Sequence, residues 1–291
     1  MPKLLVLAAL CRETFGSRTL PREPEPELIM DREEQVAAYA AAARSDGAMA
    51  AGYLFHAARI SMVLRGCRSV VDLGCGPATQ LSQIAALNPD IHFTGVDLSQ
   101  RMLEDARSHI DSLGLKNITL VHDDICSLNS IPDHSADGVI STLALHHLPS
   151  ERHLRDCFRQ TTRILKHNGA VYFTDFGRLK SLKSVIFMAY MYRKYEPHVF
   201  LLDYERSLRA AFLFDELKTF ASEGLPVDVE IFATFLVPFL VVFKTNDRRL
   251  HPKQREQFRH MRRNLQPRHR RDLDDLRLLF RLGGMVGDPF R

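Results

Sequence analysis

Long apolar runs are missing from this sequence. Nothing in its 291 residues approaches the roughly 20 uninterrupted apolar residues that a membrane helix needs. CxxC pairs are missing too. The five cysteines, Cys11, Cys67, Cys75, Cys126 and Cys157, are scattered and odd in number. That excludes a disulfide scaffold and points to a reducing compartment, with a cytoplasmic location as the expectation. The apolar run from Leu4 to Leu10 is too short for a secretory leader and reads as a docking helix. No Gly-Lys-Ser/Thr occurs, so a phosphate-gripping P-loop is excluded. The apolar share of 45% and charged share of 25% are those of a globular protein, not of a collagen-like or disordered chain.

The formal net charge of +4 hides an asymmetry. From Arg248 to Arg271, ten Lys and Arg face one acid, Glu256, which leaves the rest of the chain mildly acidic. The basicity belongs to one late segment and says little about the body.

Four segments follow from the pattern. Residues 1–30 read as a short helix and an extended linker, because alternating prolines in Leu20-Pro-Arg-Glu-Pro-Glu-Pro-Glu favour an extended backbone. Residues 31–65 read as two lid helices. The first is opened by a capping box at Asp31 and Glu34. The second is expected over about 49–64. Residues 66–246 alternate short apolar runs with helical spacing, which predicts βαβ units and a mostly parallel sheet ending in an antiparallel hairpin. Residues 247–291 read as a basic helical extension outside the sheet. In it Leu273, Leu276, Leu279 and Phe280 share one helix face.

The most informative stretch is Val70-Val71-Asp72-Leu73-Gly74-Cys75-Gly76-Pro77. A buried strand ends there and a helix begins at once. Glycines let the backbone turn tightly and approach a ligand, and unpaired N–H groups wait at the helix start. Asp72 would repel a pyrophosphate and suits a cationic amine. Asp97 lies 21 residues after Gly76, where a carboxylate can accept both hydroxyls of a ribose. The ligand so described has a ribose, a positive group and no phosphates, as S-adenosylmethionine has.

These residues resemble the class I methyltransferase family, closest to its small-molecule branch with the ubiquinone and menaquinone C-methylases. The resemblance covers about Val70 to Lys244. It is carried by VVDLGCGPA, FTGVDLS, HDDI, STLALHHLP and ILKHNGAVYFTD in that order. It implies a three-layer Rossmann-like α/β fold with seven strands in the order 3-2-1-4-5-7-6, S-adenosyl-L-methionine as cofactor, and methyl transfer by in-line displacement. On this resemblance Asp72 holds the methionine amino group, while Gly74, Cys75 and Gly76 pass under the methionine and ribose. Asp97 binds the ribose diol, Leu98 and Met102 face the adenine, and Asp124 and Ile125 meet the adenine edge. Thr142 and Leu143 line the methyl side. One departure is His167-Asn168-Gly169 in place of the usual Pro-Gly-Gly before strand five; it affects a turn, not the site.

The methyl group is already activated on its sulfonium, so a base is needed only for an acceptor that must lose a proton. His146 and His147, after strand four, and Asp175, ending strand five, are the candidates. No tight metal-ligand spacing is present and no metal is expected. Tyr39, Tyr53 and His56 from the lid helices, with Tyr192, Tyr204 and Arg206 from the segment after strand five, are the candidate acceptor-binding residues. The expected partner is a small-molecule or peptide acceptor, with a homodimer or partner protein conceivable through the extension; nucleic acid is not expected. The competing functions are an RNA methyltransferase using the basic segment and a non-catalytic S-adenosylmethionine-binding partner protein.

Overall fold

A strand buried on both faces must carry apolar side chains on both, and β1 (Ser69–Leu73) does so with Val70 and Val71 pointing to opposite sides. The computed structural model describes residues 9, 11–16, 19–26, 47–226 and 228–291. From β1 the chain runs through α2 (Thr79–Leu87), β2 (His92–Asp97), α3 (Gln100–Ser112), β3 (Ile118–His122) and β4 (Ala136–Thr142). It continues through α4 (Glu151–Ile164), β5 (Leu165–Phe176), α5 (Leu182–Ala189), α6 (His198–Ala210) and α7 (Phe214–Gly224). The pair β6 (Glu230–Ala233) and β7 (Leu240–Lys244) ends the sheet. Helix α1 (Ala50–Val63) precedes β1, and α8 (Pro252–Asn264) and α9 (Pro267–Leu282) follow β7.

The strands order as β3-β2-β1-β4-β5-β7-β6, as expected. The first five are parallel, and β7 is antiparallel to both β5 and β6. Two apolar cores sandwich the sheet. One gathers Val70, Phe93, Ile140 and Tyr172 under α1, α2 and α3; the other gathers Val71, Val139, Phe173 and Phe243 under α4 and α7. The register Val71↔Thr94 and Val71↔Val139 puts β1 between β2 and β4, where the strand order reverses. Ligands of such sheets bind outside the carboxyl ends of the strands at that point.

Two features differ from the sequence expectation. Helix α6 has no counterpart in it. The C-terminal segment is helical but no appendage: Phe258, Leu273 and Phe280 are fully buried in the same core as α1. The Phe280 ring stacks on Phe55 at 5.2 Å between centroids. The apolar stripe of α9 therefore covers the domain itself. The Asp31/Glu34 capping box and Tyr39 lie outside the described residues.

Candidate active site

The turn after β1 is held open by two glycines in the left-handed region, Gly74 at φ 73° and Gly76 at φ 52°. At Gly74 a Cβ would stand 2.5 Å from that of Ala144, so no other residue fits; at Gly76 it would enter open space. The N–H of Gly76 donates to Asp97 Oδ2 over 2.8 Å, and that of Ser99 donates to Asp97 Oδ1 over 2.9 Å. Asp97 thus ties the end of β2 to the glycine turn. Ser99 then caps α3 by accepting from the Met102 N–H at 3.1 Å.

These elements enclose a cavity of about 210 Å³ at the carboxyl edge. Gly74, Cys75, Gly76, Asp97, Leu98, Met102, Asp124, Ile125, Thr142 and Leu143 all line it. Asp72 lies just beneath, 2% exposed, and its Oδ1 has no hydrogen-bond partner among the described residues. Burial, then repulsion from Asp97, pushes the Asp72 carboxyl up to about 8. A buried acceptor without a donor is costly; a cation at this point would relieve it.

A second cavity, of about 360 Å³, opens beside the first. Tyr53, Leu143 and His147 line both. Of the residues named from sequence for the acceptor, Tyr53, His56, Tyr192 and Tyr204 line this larger cavity, and Arg206 lines neither. His56 is buried with Nδ1 at 2.8 Å from the Tyr172 hydroxyl. Burial, then the Arg59 charge, brings its pKa down to about 3, so it stays neutral.

His146 and His147 occupy a helical turn directly after β4 (residues 145–147), with ring centroids 4.1 Å apart. Asp175 fixes His146 twice: Oδ1 accepts from Nδ1 over 2.7 Å and Oδ2 from the backbone N–H over 3.0 Å. Asp175 itself is 1% exposed and lines neither cavity, so it orients His146 from behind. His147 Nδ1 donates to Glu25 Oε2 over 2.9 Å, and the Ser207 hydroxyl donates to Glu25 Oε1 over 2.9 Å. Burial opposes both charges. The hydrogen bond and charge shared with His147 outweigh it, holding Glu25 down at about 2 and raising His147 above its ordinary value.

Glu25 was not singled out from sequence, nor was Arg22, and both sit on the proline-rich strap. Arg22 donates to the carbonyls of His146, Leu148, Pro149 and Ala210 at 2.5–3.1 Å. Its guanidinium lies 3.8 Å from the Phe212 ring centroid. The proline alternation announced an extended strap; nothing in its spacing said what the strap crosses. Ligand atoms of Glu25, His146 and His147 lie within 4.8 Å of one another, a donor set of the kind that holds metals. The hydrogen bonds just described account for that arrangement by themselves.

Residues 70–169 match a methyltransferase domain family. That match covers 100 of the 291 residues, from β1 into β5. A demethylmenaquinone methyltransferase of Listeria welshimeri is 31% identical over 102 residues, covering 35% of this chain and 42% of the relative. The chain spans less than half the length of the curated relatives it matches first. A plantazolicin methyltransferase solved with S-adenosylhomocysteine shares the fold at a TM-score of 0.54. It is 15% identical, covering 84% of this chain and 97% of that one. A Methanococcus maripaludis protein provisionally assigned as an S-adenosyl-L-methionine-dependent methyltransferase shares it at 0.55. Its identity is 21%, over 79% and 98% of the two chains. The glycine turn, with the unsatisfied Asp72 below it and Asp97 at the end of β2, offers carboxylates of the kind that suit an amine and a ribose.

Proposed function

We propose that this protein is an S-adenosylmethionine-dependent methyltransferase acting on a small-molecule or peptide acceptor. The observation that supports it most is the pair of adjoining cavities, one lined by ten of the eleven residues expected around the cofactor, the other apolar and meeting it at Tyr53, Leu143 and His147. The cofactor supplies a methyl group activated on a positive sulfur. The chain's part is alignment and exclusion of water. Asp72 holds the amine, Asp97 the ribose hydroxyls, and Leu143 stands where the two cavities meet. His147 faces the junction and serves as general base. Glu25 fixes its Nδ1–H, leaving Nε2 to take a proton from the acceptor. His146, locked by Asp175, shapes the wall beside it.

The basic segment gives no support to an RNA acceptor. Arg262 pairs with Asp274, Arg263 with Glu256 and Arg277 with Asp274 and Asp288. Within the segment itself, Arg259, Arg262 and Arg263 have acidic partners in the protein. The test is transfer of labelled methyl from S-adenosylmethionine to an acceptor library. His147→Gln should lower kcat and leave cofactor affinity unchanged. Turnover indifferent to His147 would remove its base role, and a chain unable to bind the cofactor would remove the whole reading.

A further inference from the structure

The larger cavity makes the acceptor site, and its charge selects the acceptor. Its walls are built mainly from Phe, Met and Leu side chains such as Phe176, Met188, Phe200 and Leu279. The described lining includes four carboxylates, Glu13, Asp203, Asp272 and Asp275, and no Lys or Arg. Glu13 is committed to the structure, accepting from the N–H groups of Lys180 and Ser181 before α5. Asp272 accepts from the Tyr192 hydroxyl over 3.2 Å. Asp203 and Asp275 have no hydrogen-bond partner among the described residues. Asp203 is one turn of α6 before Ser207, whose hydroxyl is on Glu25, and both residues line the cavity that His147 faces. The free carboxylate therefore stands on the His147 side, near the junction with the cofactor cavity, while Asp275 is exposed on α9.

Electrostatics then separates acceptor types. A phenolate, enolate or carboxylate acceptor would bring an anion against Asp203 and lose charge on transfer, so this wall would disfavour its binding. An amine behaves in the opposite way. It arrives as an ammonium ion, is drawn to Asp203, and yields a proton to His147. Its lone pair then forms the N–C bond as the methyl C–S bond breaks, with that bond's pair staying on sulfur. The positive charge moves from sulfur to nitrogen, toward Asp203 and the Glu25 carboxylate, which stabilise it as it develops. We propose that the acceptor is an amine carried on an apolar body, bound with its nitrogen at Asp203. This rests on the methyl-transfer reading and narrows it.

The test is calorimetric titration of the whole chain, saturated with S-adenosylhomocysteine, with 4-phenylbutylamine, 4-phenylbutanol and 4-phenylbutanoate. The amine is expected to bind at least about tenfold more tightly than the alcohol, and the carboxylate most weakly. Asp203→Asn should bring the amine down to the alcohol's affinity while leaving that for S-adenosylhomocysteine unchanged, which also shows that the variant folds. Equal binding of all three, preference for the carboxylate, no binding of any, or an amine preference that survives Asp203→Asn would overturn the proposal. Failure to bind S-adenosylhomocysteine would instead remove the methyl-transfer reading. The same three ligands titrated into the free chain would then still decide whether the cavity selects amines.

Discussion

At the scale of single residues, Asp72 carries the sharpest consequence. Its carboxyl, pushed up to about 8 by burial and by Asp97, is mostly protonated in the free chain at neutral pH. Seating an ammonium ion above it ionises it and releases a proton, so affinity rises with pH up to that value. At still higher pH the ligand's own α-amine, a free amino acid's, begins to deprotonate, and binding then takes a proton up. Affinity for S-adenosylhomocysteine should therefore rise with pH toward about 8 and level off there, with the tenfold-per-unit slope reached only well below that value. Asp72→Asn should flatten the rising limb, and titrations in two buffers of different ionisation enthalpy would count the proton.

Glu25 gives a second residue-level test. Its carboxylate stabilises strap docking above its ordinary value of 4.5, and that contribution is lost as pH falls toward 2. The contribution of His147 is full below 6.5 and fades as pH rises through its raised value. The strap is held most firmly between these limits. Removing the charge with Glu25→Gln lowers the pKa of His147, so the rising limb of kcat/KM against pH should move to lower pH. A limb that stays in place would separate Glu25 from the base.

At the scale of elements, the strands and the glycine turn were legible in the sequence because each is local. A strand buried on both faces reads as an apolar run, and a left-handed turn asks for glycine at Gly74 and Gly76. The residues that line the smaller cavity were legible for the same reason, since they follow the ends of β1, β2, β3 and β4 in order. The partners of the histidines were not. Glu25 lies 122 residues from His147, and no periodicity spans that separation. Nor did composition reveal that α9 closes the domain. Its stripe predicted a docked helix without saying on what; Leu273 and Phe280 turned out to enter the core while Leu276 and Leu279 line the larger cavity. Phe280→Ala should cost about 3–5 kcal/mol, read as a lower urea midpoint. Deleting residues 247–291 should give an insoluble product, because it bares Phe55 and its neighbours on α1. A soluble truncated chain with unchanged cofactor affinity would show that the extension is separable after all.

At the scale of the whole molecule, the strand order sets the smaller cavity at the reversal between β1 and β4. Residues of α1, α5, α6 and α9, with Ala9 and Glu13, line an apolar chamber against it. Solved methyltransferases of about 15–21% identity share the fold over 79–84% of this chain. The proposed methyl transfer rests on one claim, that the glycine turn and Asp97 hold S-adenosylmethionine. Calorimetric titration of the full chain with S-adenosylhomocysteine tests it most directly, with NAD as the control and Asp97→Ala as the variant. Saturable binding at one site, no response to NAD, and loss of affinity in a still-folded Asp97→Ala chain are expected. Absence of binding by a folded chain, or undiminished binding by the variant, would contradict it.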